Sequence, residues 1–197
     1  MHNLNKWFNL KNIKITEGFS QECEKQSNFL KNIVQDKSIK NVMEIGFNGG
    51  HSAEIFLSAN TDIKLTSFDL GHHSYVSTGK QYIDNTFPNR HTLILGNSLE
   101  TVPKYLENNN TTFDIIFIDG GHDYHIAKSD LLNCKKFAHS KTIVIMDDTI
   151  NNNKWILNWN LGPNRAWKEL KNDKQITEIG YEDCSPGRGY SWGYYLV

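Results

Sequence analysis

Five short apolar runs, each closed by Gly or Asp, constrain this chain more than any other feature. They are Val42–Ile45, Lys64–Phe68, Thr92–Leu95, Asp114–Ile118 and Thr142–Met146, followed respectively by Gly46, Asp69, Gly96, Asp119 and Asp147. Runs of this length, rich in β-branched residues, suit strands buried on both faces. Between them lie segments with helical spacing. Ser52–Ala59 carries Ala53, Phe56 and Leu57; Leu99–Leu106 carries Val102 and Leu106; Ile126–Phe137 carries Leu131, Leu132 and Phe137. Strands alternating with helices imply βαβ units wound right-handed into a parallel sheet with helices on both faces.

The end of the chain changes character. Ile176–Ile179 and Tyr190–Val197 are separated only by a turn containing Gly and Pro, which predicts a hairpin and an antiparallel edge. The opening residues to about Asp36 read as one or two helices covering the sheet. The expected fold is therefore α/β and doubly wound, a mostly parallel seven-stranded sheet closed by an antiparallel C-terminal hairpin. We expect one domain over residues 1–197: a helical cap (1–38), a core (40–149), and a substrate-side segment with the closing hairpin (150–197). A chain of this length can bury a sizeable core.

Composition removes several function classes. The formal net charge is -1 and no Lys/Arg stripe stands out, which disfavours nucleic acid and anionic membrane as partners. No window approaches the length and apolarity of a membrane span, and Met1–Ile15 has no stretch of signal-peptide length. Cys23, Cys134 and Cys184 are odd in number and widely separated, a pattern of neither a disulfide framework nor a zinc site. A cytoplasmic domain in a reducing compartment is the expectation.

In doubly wound sheets ligands bind beyond the carboxyl ends of the strands, so the strand ends carry the functional reading. The first ends Glu44-Ile-Gly46-Phe-Asn48-Gly49-Gly50-His-Ser52 and opens a helix. Its glycines permit a sharp turn and close approach of backbone to a ligand, or simply a tight turn. Dinucleotide spacing would need glycine at Asn48 and His51; the chain has acid-x-G-x-x-x-G instead. The second strand ends at Asp69, where a carboxylate can accept both ribose hydroxyls of an adenosine or merely cap the strand. The third ends Gly96-Asn97-Ser98, where Ser98 can cap the next helix and Asn97 and Ser98 can border an adenine.

The fourth and fifth strands end Asp119-Gly-Gly-His122 and Asp147-Asp148. Neighbouring strands lie roughly 4.8 Å apart, so Asp119, Asp147 and Asp148 would converge at one sheet edge. Three carboxylates in one cleft repel unless a cation lies between them, and an all-oxygen set points to Mg²⁺, or to Ca²⁺ or Mn²⁺. His122, three residues past Asp119, can take a proton from a substrate hydroxyl. His72 and His73 follow Asp69 and can line the same cleft or remain solvated.

Together these segments resemble class I S-adenosylmethionine (SAM)-dependent methyltransferases. They look most like the metal-dependent O-methyltransferases related to catechol O-methyltransferase and to the macrolide-sugar O-methyltransferases. The resemblance runs from about Lys40 to Thr149. It implies that Glu44, Gly46, Asn48, Gly49, Gly50 and Ser52 form the loop around the methionine part of SAM. Asp69 would bind the ribose, Asn97 and Ser98 the adenine side, and Asp119 would serve cofactor and catalysis together. Asp119, Asp147 and Asp148 fall on the metal-ligand positions, and His122 on the base of the sugar enzymes. The catechol enzymes carry Lys at His122 and Asp-Asn at Asp147-Asp148, so both departures lean towards the sugar branch.

The expected activity is Mg-assisted transfer of a methyl group from SAM to a hydroxyl of a small molecule, sugar or glycan. Alternatives are a metal-independent class I methyltransferase acting on nitrogen or a carboxylate, and a SAM-binding module that catalyses nothing. A dinucleotide oxidoreductase is disfavoured by the glycine spacing. Trp155, Trp159 and Trp167 are core residues or a wall for a ring-shaped acceptor, with Asn151–Asn160 a suitable lid. A homodimer is compatible with an open cleft.

Overall fold

A computed structural model describes residues 3–197; Met1 and His2 of the expected cap lie outside the described residues. The strands are β1 (Asn41–Ile45), β2 (Lys64–Asp69), β3 (His91–Leu95), β4 (Phe113–Ile118), β5 (Ala138–Asp147), β6 (Ile176–Ser185) and β7 (Arg188–Tyr195). They form one seven-stranded sheet in the order β3-β2-β1-β4-β5-β7-β6. The first five pair in parallel, and β7 runs antiparallel between β5 and β6. The expected doubly wound sheet with its closing hairpin is the observed one.

Burial on both faces explains why these runs are continuous. In β1, Val42 packs into one core with Phe56, Phe117 and Ile145, while its neighbour Met43 enters the opposite core with Ile116, Val144 and Trp167. Helices α1 (Leu4–Leu10), α2 (Glu24–Ile33), α3 (His51–Ala59) and α4 (Tyr75–Thr86) cover the first face. Helices α5 (Ser98–Asn108), α6 (Tyr124–Lys135) and α7 (Leu161–Asn172) cover the second. Removing a large side chain from either core would cost about 2–5 kcal/mol.

Two helices were not among the sequence expectations. Helix α4 carries Gly79 at its centre, a residue that weakens helices. Here it is required by packing, because a Cβ at Gly79 would lie 2.2 Å from the carbonyl oxygen of Gly49. Helix α7 starts Leu161-Gly162-Pro163, which reads as loop; Pro is tolerated in a first turn, where its missing N–H has no intrahelical partner. Trp167 of this helix is buried in the second core.

The cap is fastened to the body by polar contacts as well as packing. Glu54 on α3 accepts hydrogen bonds from the Asn3 and Leu4 N–H groups, at 3.0 and 3.1 Å, and from the Tyr82 hydroxyl, at 2.7 Å. At the other end the structure corrects the cysteine reading. Cys23 and Cys184 form a disulfide across 161 residues, with a Cα–Cα distance of 6.7 Å. Pairing at that separation depends on the C-terminal hairpin folding back over the cap, which spacing alone does not reveal. Cys134 is free and buried. Closing so long a loop stabilises a domain by about 2–5 kcal/mol. Cys184→Ser is therefore expected to lower the melting temperature by roughly 5–15 °C in non-reducing thermal melts. An unchanged melt would show that the bridge contributes nothing.

Candidate active site

The sheet changes direction between β1 and β4, since the chain leaves β1 for β2 and β3 and then returns to place β4 on its other side. A cavity of about 750 Å³ opens there, beyond the carboxyl ends of the strands. Gly46 is the tightest point of its floor. Its φ of 96° is left-handed, and a Cβ there would lie 1.8 Å from the Asp119 carbonyl oxygen. The same joint is tied by Asp119 N–H to Ile45 O and Gly46 N–H to Phe68 O, each at 2.8 Å. Only glycine fits that position.

Asn48 and Asp69 are placed by one another. Asn48 adopts φ 50° and donates its N–H to Asp69 Oδ2 at 2.8 Å, while Gly71 N–H donates to Asp69 Oδ1 at 2.7 Å. Each carboxylate oxygen keeps a further lone pair for a ligand diol. Asn97 caps α5 by accepting from Leu99 N–H at 3.1 Å, and Ser98 is the first residue of that helix. Gly46, Asn48, Asp69, Asn97, Ser98 and Asp119 all line the cavity. Glu44, Gly49, Gly50 and Ser52 do not; they stand behind its wall. The Glu44 carboxylate is fully buried and accepts bonds from Ser52 Oγ and Ser67 Oγ, each at 2.5 Å.

The acidic corner comes from β4 and β5. Asp119, Asp147 and Asp148 line the cavity together with His122. Burial, then the nearby Asp147 and Asp148 carboxylates, hold the Asp119 carboxyl well above the usual range; burial and Asp148 likewise raise Asp147. His122 Nε2 lies 2.8 Å from Asp148 Oδ2, and this bond raises the imidazole pKa. Asp148 occupies a left-handed φ of 58°, a strained conformation for a residue with a side chain. Its turn is held from α7, where Asn164 accepts from Ile150 N–H at 2.8 Å and donates to the Asp148 carbonyl at 3.2 Å. Among the described residues, no three His, Cys, Asp or Glu side chains stand at metal-ligand spacing.

A family model described as a methyltransferase domain matches residues 43–149, more than half of the chain. The chain belongs to that methyltransferase-domain family. No curated protein matches it in sequence. Its fold is that of several solved methyltransferases. An O-methyltransferase from Bacillus cereus, solved with SAH, superposes with a TM-score of 0.77 at 17% identity, covering 98% of this chain and 90% of that one. TomG from Streptomyces achromogenes, an O-methyltransferase of tomaymycin synthesis solved with SAM, gives 0.73 at 14% identity, covering 100% and 91%. CalS11, a TDP-rhamnose 3'-O-methyltransferase of calicheamicin biosynthesis, gives 0.65 at 19% identity, covering 99% and 94%. Among the described residues of this methyltransferase, no helix is long and apolar enough to cross a membrane.

Several residues of the methyltransferase cavity were absent from the sequence reading of the site. Glu17, Gly18 and Phe19 of the cap and Arg188 of β7 line it. Gly18 O accepts from Asn48 Nδ2 at 3.1 Å, and Phe19 stacks on His51 with ring centres 3.9 Å apart. Arg188 pairs with Glu22 at 2.6 Å. These residues come from both ends of the chain, so no local motif announces them. His72 and His73 also line the cavity, and His73 pairs with Glu17 at 2.9 Å.

Glu44 gives the site a pH signature. Burial pushes its carboxyl up to about 7, against an ordinary value of 4.5. Between those values the folded protein keeps a proton that the unfolded chain has released. This contribution to stability is full below about pH 4.5 and is lost as pH rises through about 7. Glu44→Gln removes the titration. Relative to wild type it is expected to gain nothing near about pH 4 and about 3 kcal/mol above about pH 7, in denaturant melts of ligand-free protein. A pH-independent difference would contradict this origin.

Proposed function

We propose that the protein transfers a methyl group from SAM to a hydroxyl of a small molecule or saccharide, with a hard divalent cation assisting. The observation that carries this reading is the His122–Asp148 pair, an oriented imidazole at 2.8 Å from a carboxylate on the rim of the cofactor cavity. A base so placed needs an acidic proton on the acceptor, and a hydroxyl provides one.

Asp69 would hold the ribose hydroxyls of SAM, Gly46 and Asn48 its methionine part, and Asn97 and Ser98 would border its adenine. SAM, when bound, would supply its sulfonium methyl to the acceptor oxygen, an O–C bond forming as the C–S bond breaks and SAH leaving. His122 Nδ1, the ring nitrogen not bonded to Asp148, takes the hydroxyl proton, and Asp148 on Nε2 orients the ring and stabilises its charged form. Positioning of donor and acceptor supplies much of the rate.

The donor chemistry fits a cation. Three carboxylates share one corner, and burial, reinforced by the neighbouring Asp147 and Asp148 carboxylates, pushes Asp119 towards its protonated form. Asp119, Asp147 and Asp148 would hold Mg²⁺, Ca²⁺ or Mn²⁺, which would lower the pKa of the acceptor hydroxyl. A second reading, transfer without metal, draws on the Asp148 carboxylate already being bonded to His122.

His122→Ala is expected to lower kcat by about 10²–10⁴-fold while SAH affinity, measured calorimetrically, stays within a factor of about three. Treatment with EDTA is expected to abolish turnover and leave most SAM binding intact. Full-rate methylation after chelation would remove the metal and leave the second reading.

A further inference from the structure

Trp159 is the large aromatic side chain left open on the cavity wall. Its residue is 39% exposed and its ring centre lies 5.3 Å from that of His122. Phe19 also lines the cavity, but its ring is stacked on His51. Asp119, Asp147, Asp148 and Arg188 line the cavity with Trp159.

The indole is held firmly in that position. It belongs to a segment with two short 3-10 turns, Asn153–Trp155 and Asn158–Asn160. Asn160 Nδ2 donates to Gly187 O at 3.2 Å, and Gly187 N–H donates to Trp155 O at 2.8 Å. At the other end of the segment, Asn151 and Asn152 N–H groups donate to Asp183 at 2.9 and 2.8 Å. A Cβ on Gly187 would lie 2.7 Å from both Trp159 Cζ2 and Leu157 Cδ1, so the hairpin turn is packed against the indole edge. Gly162 in turn lies against the His122 backbone, where a Cβ would approach its carbonyl oxygen to 2.1 Å. Platform and base are thus fixed to one another through the start of α7.

A rigid aromatic face costs little conformational entropy when it binds, and leaving it in water without a ligand is unfavourable. One apolar face ringed by carboxylates, an imidazole and a guanidinium suits a ring whose flat side is apolar and whose edge carries hydroxyls. Saturated cyclic polyols and phenols share that chemistry. We propose that Trp159 is the specificity-determining residue for the acceptor, taking one face of a cyclic substrate and thereby carrying a ring-borne hydroxyl to His122. The proposal rests on the hydroxyl-methylation reading above.

The test measures SAH release with SAM and four probes: methyl α-L-rhamnopyranoside and 3,4-dihydroxybenzoate as rings, glycerol and L-serine as acyclic hydroxyls. Wild type is expected to methylate a ring probe with kcat/KM at least about tenfold above either acyclic probe. Which ring is used separates the saturated from the aromatic source. Trp159→Ala is expected to raise the ring KM by about tenfold, leave kcat within about threefold, and leave the SAM KM and the pH–rate profile unmoved; Trp159→Phe restores most of the loss. SAH binding and circular dichroism confirm that each variant is folded. Equal use of acyclic and ring probes, or an unmoved ring KM in Trp159→Ala, overturns the proposal and spares the methyltransferase reading. A fall in kcat with a shifted pH profile also overturns it, since Trp159 would then act through His122. Absence of methylation at every hydroxyl overturns the hydroxyl-transfer reading and the proposal with it.

Discussion

The whole site depends on one backbone contact, the seating of Gly46 against the carbonyl of Asp119. At that joint β1 and β4 run side by side, and their following loops must part to opposite faces of the sheet. With a Cβ position only 1.8 Å from the Asp119 oxygen, a side chain at residue 46 would separate the loop that faces the cavity from the strand that carries the acids. The next layer repeats the device, because a Cβ on Gly79 of α4 would lie 2.2 Å from Gly49 O. Backbone packed on backbone leaves room above it, and that room is the cavity.

Charge is arranged around this joint in a graded way. Glu44, behind the wall, is satisfied by two serine hydroxyls and needs no ligand. Asp69, on the wall, is half satisfied by backbone N–H groups and keeps capacity for a diol. Asp119, Asp147 and Asp148 crowd one another, while His122 and the Asp148 N–H bond to Asp148 and Asp147 respectively. Unrelieved repulsion costs stability, and functional sites are where such costs are tolerated. The acids of β4 and β5 are the part of the molecule whose energetics ask for something further to bind.

The sequence made the strands legible because each is buried on both faces and ends abruptly in Gly or Asp. The cavity-lining residues at the strand ends were legible for the same reason, since a strand end has only one place to go. Helices α4 and α7 were not, because Gly79 and Gly162-Pro163 serve tight packing that overrides helix propensity. The Cys23–Cys184 bridge, Phe19 and Arg188 were invisible for a topological reason: the cap and the hairpin are remote in sequence and adjacent only in the fold. Asn164, which fixes the Asp148 turn from α7, belongs to the same group. Glu44 and Ser52 sit in the loop motif yet bond each other behind it, so motif membership did not equal ligand contact.

At the centre of this account is a nucleoside cofactor held at the ends of β1 and β2, with Asp69 on its ribose. Calorimetric titration of SAH into wild type and Asp69→Asn tests it most directly. The account predicts one-site binding to wild type and an affinity weakened by about tenfold or more in the variant, since the carboxylate–diol pair is lost together with one of the two backbone contacts from Asn48 and Gly71, the amide having a single acceptor oxygen. Equal affinity in the two proteins, or no SAH binding by wild type, would contradict it.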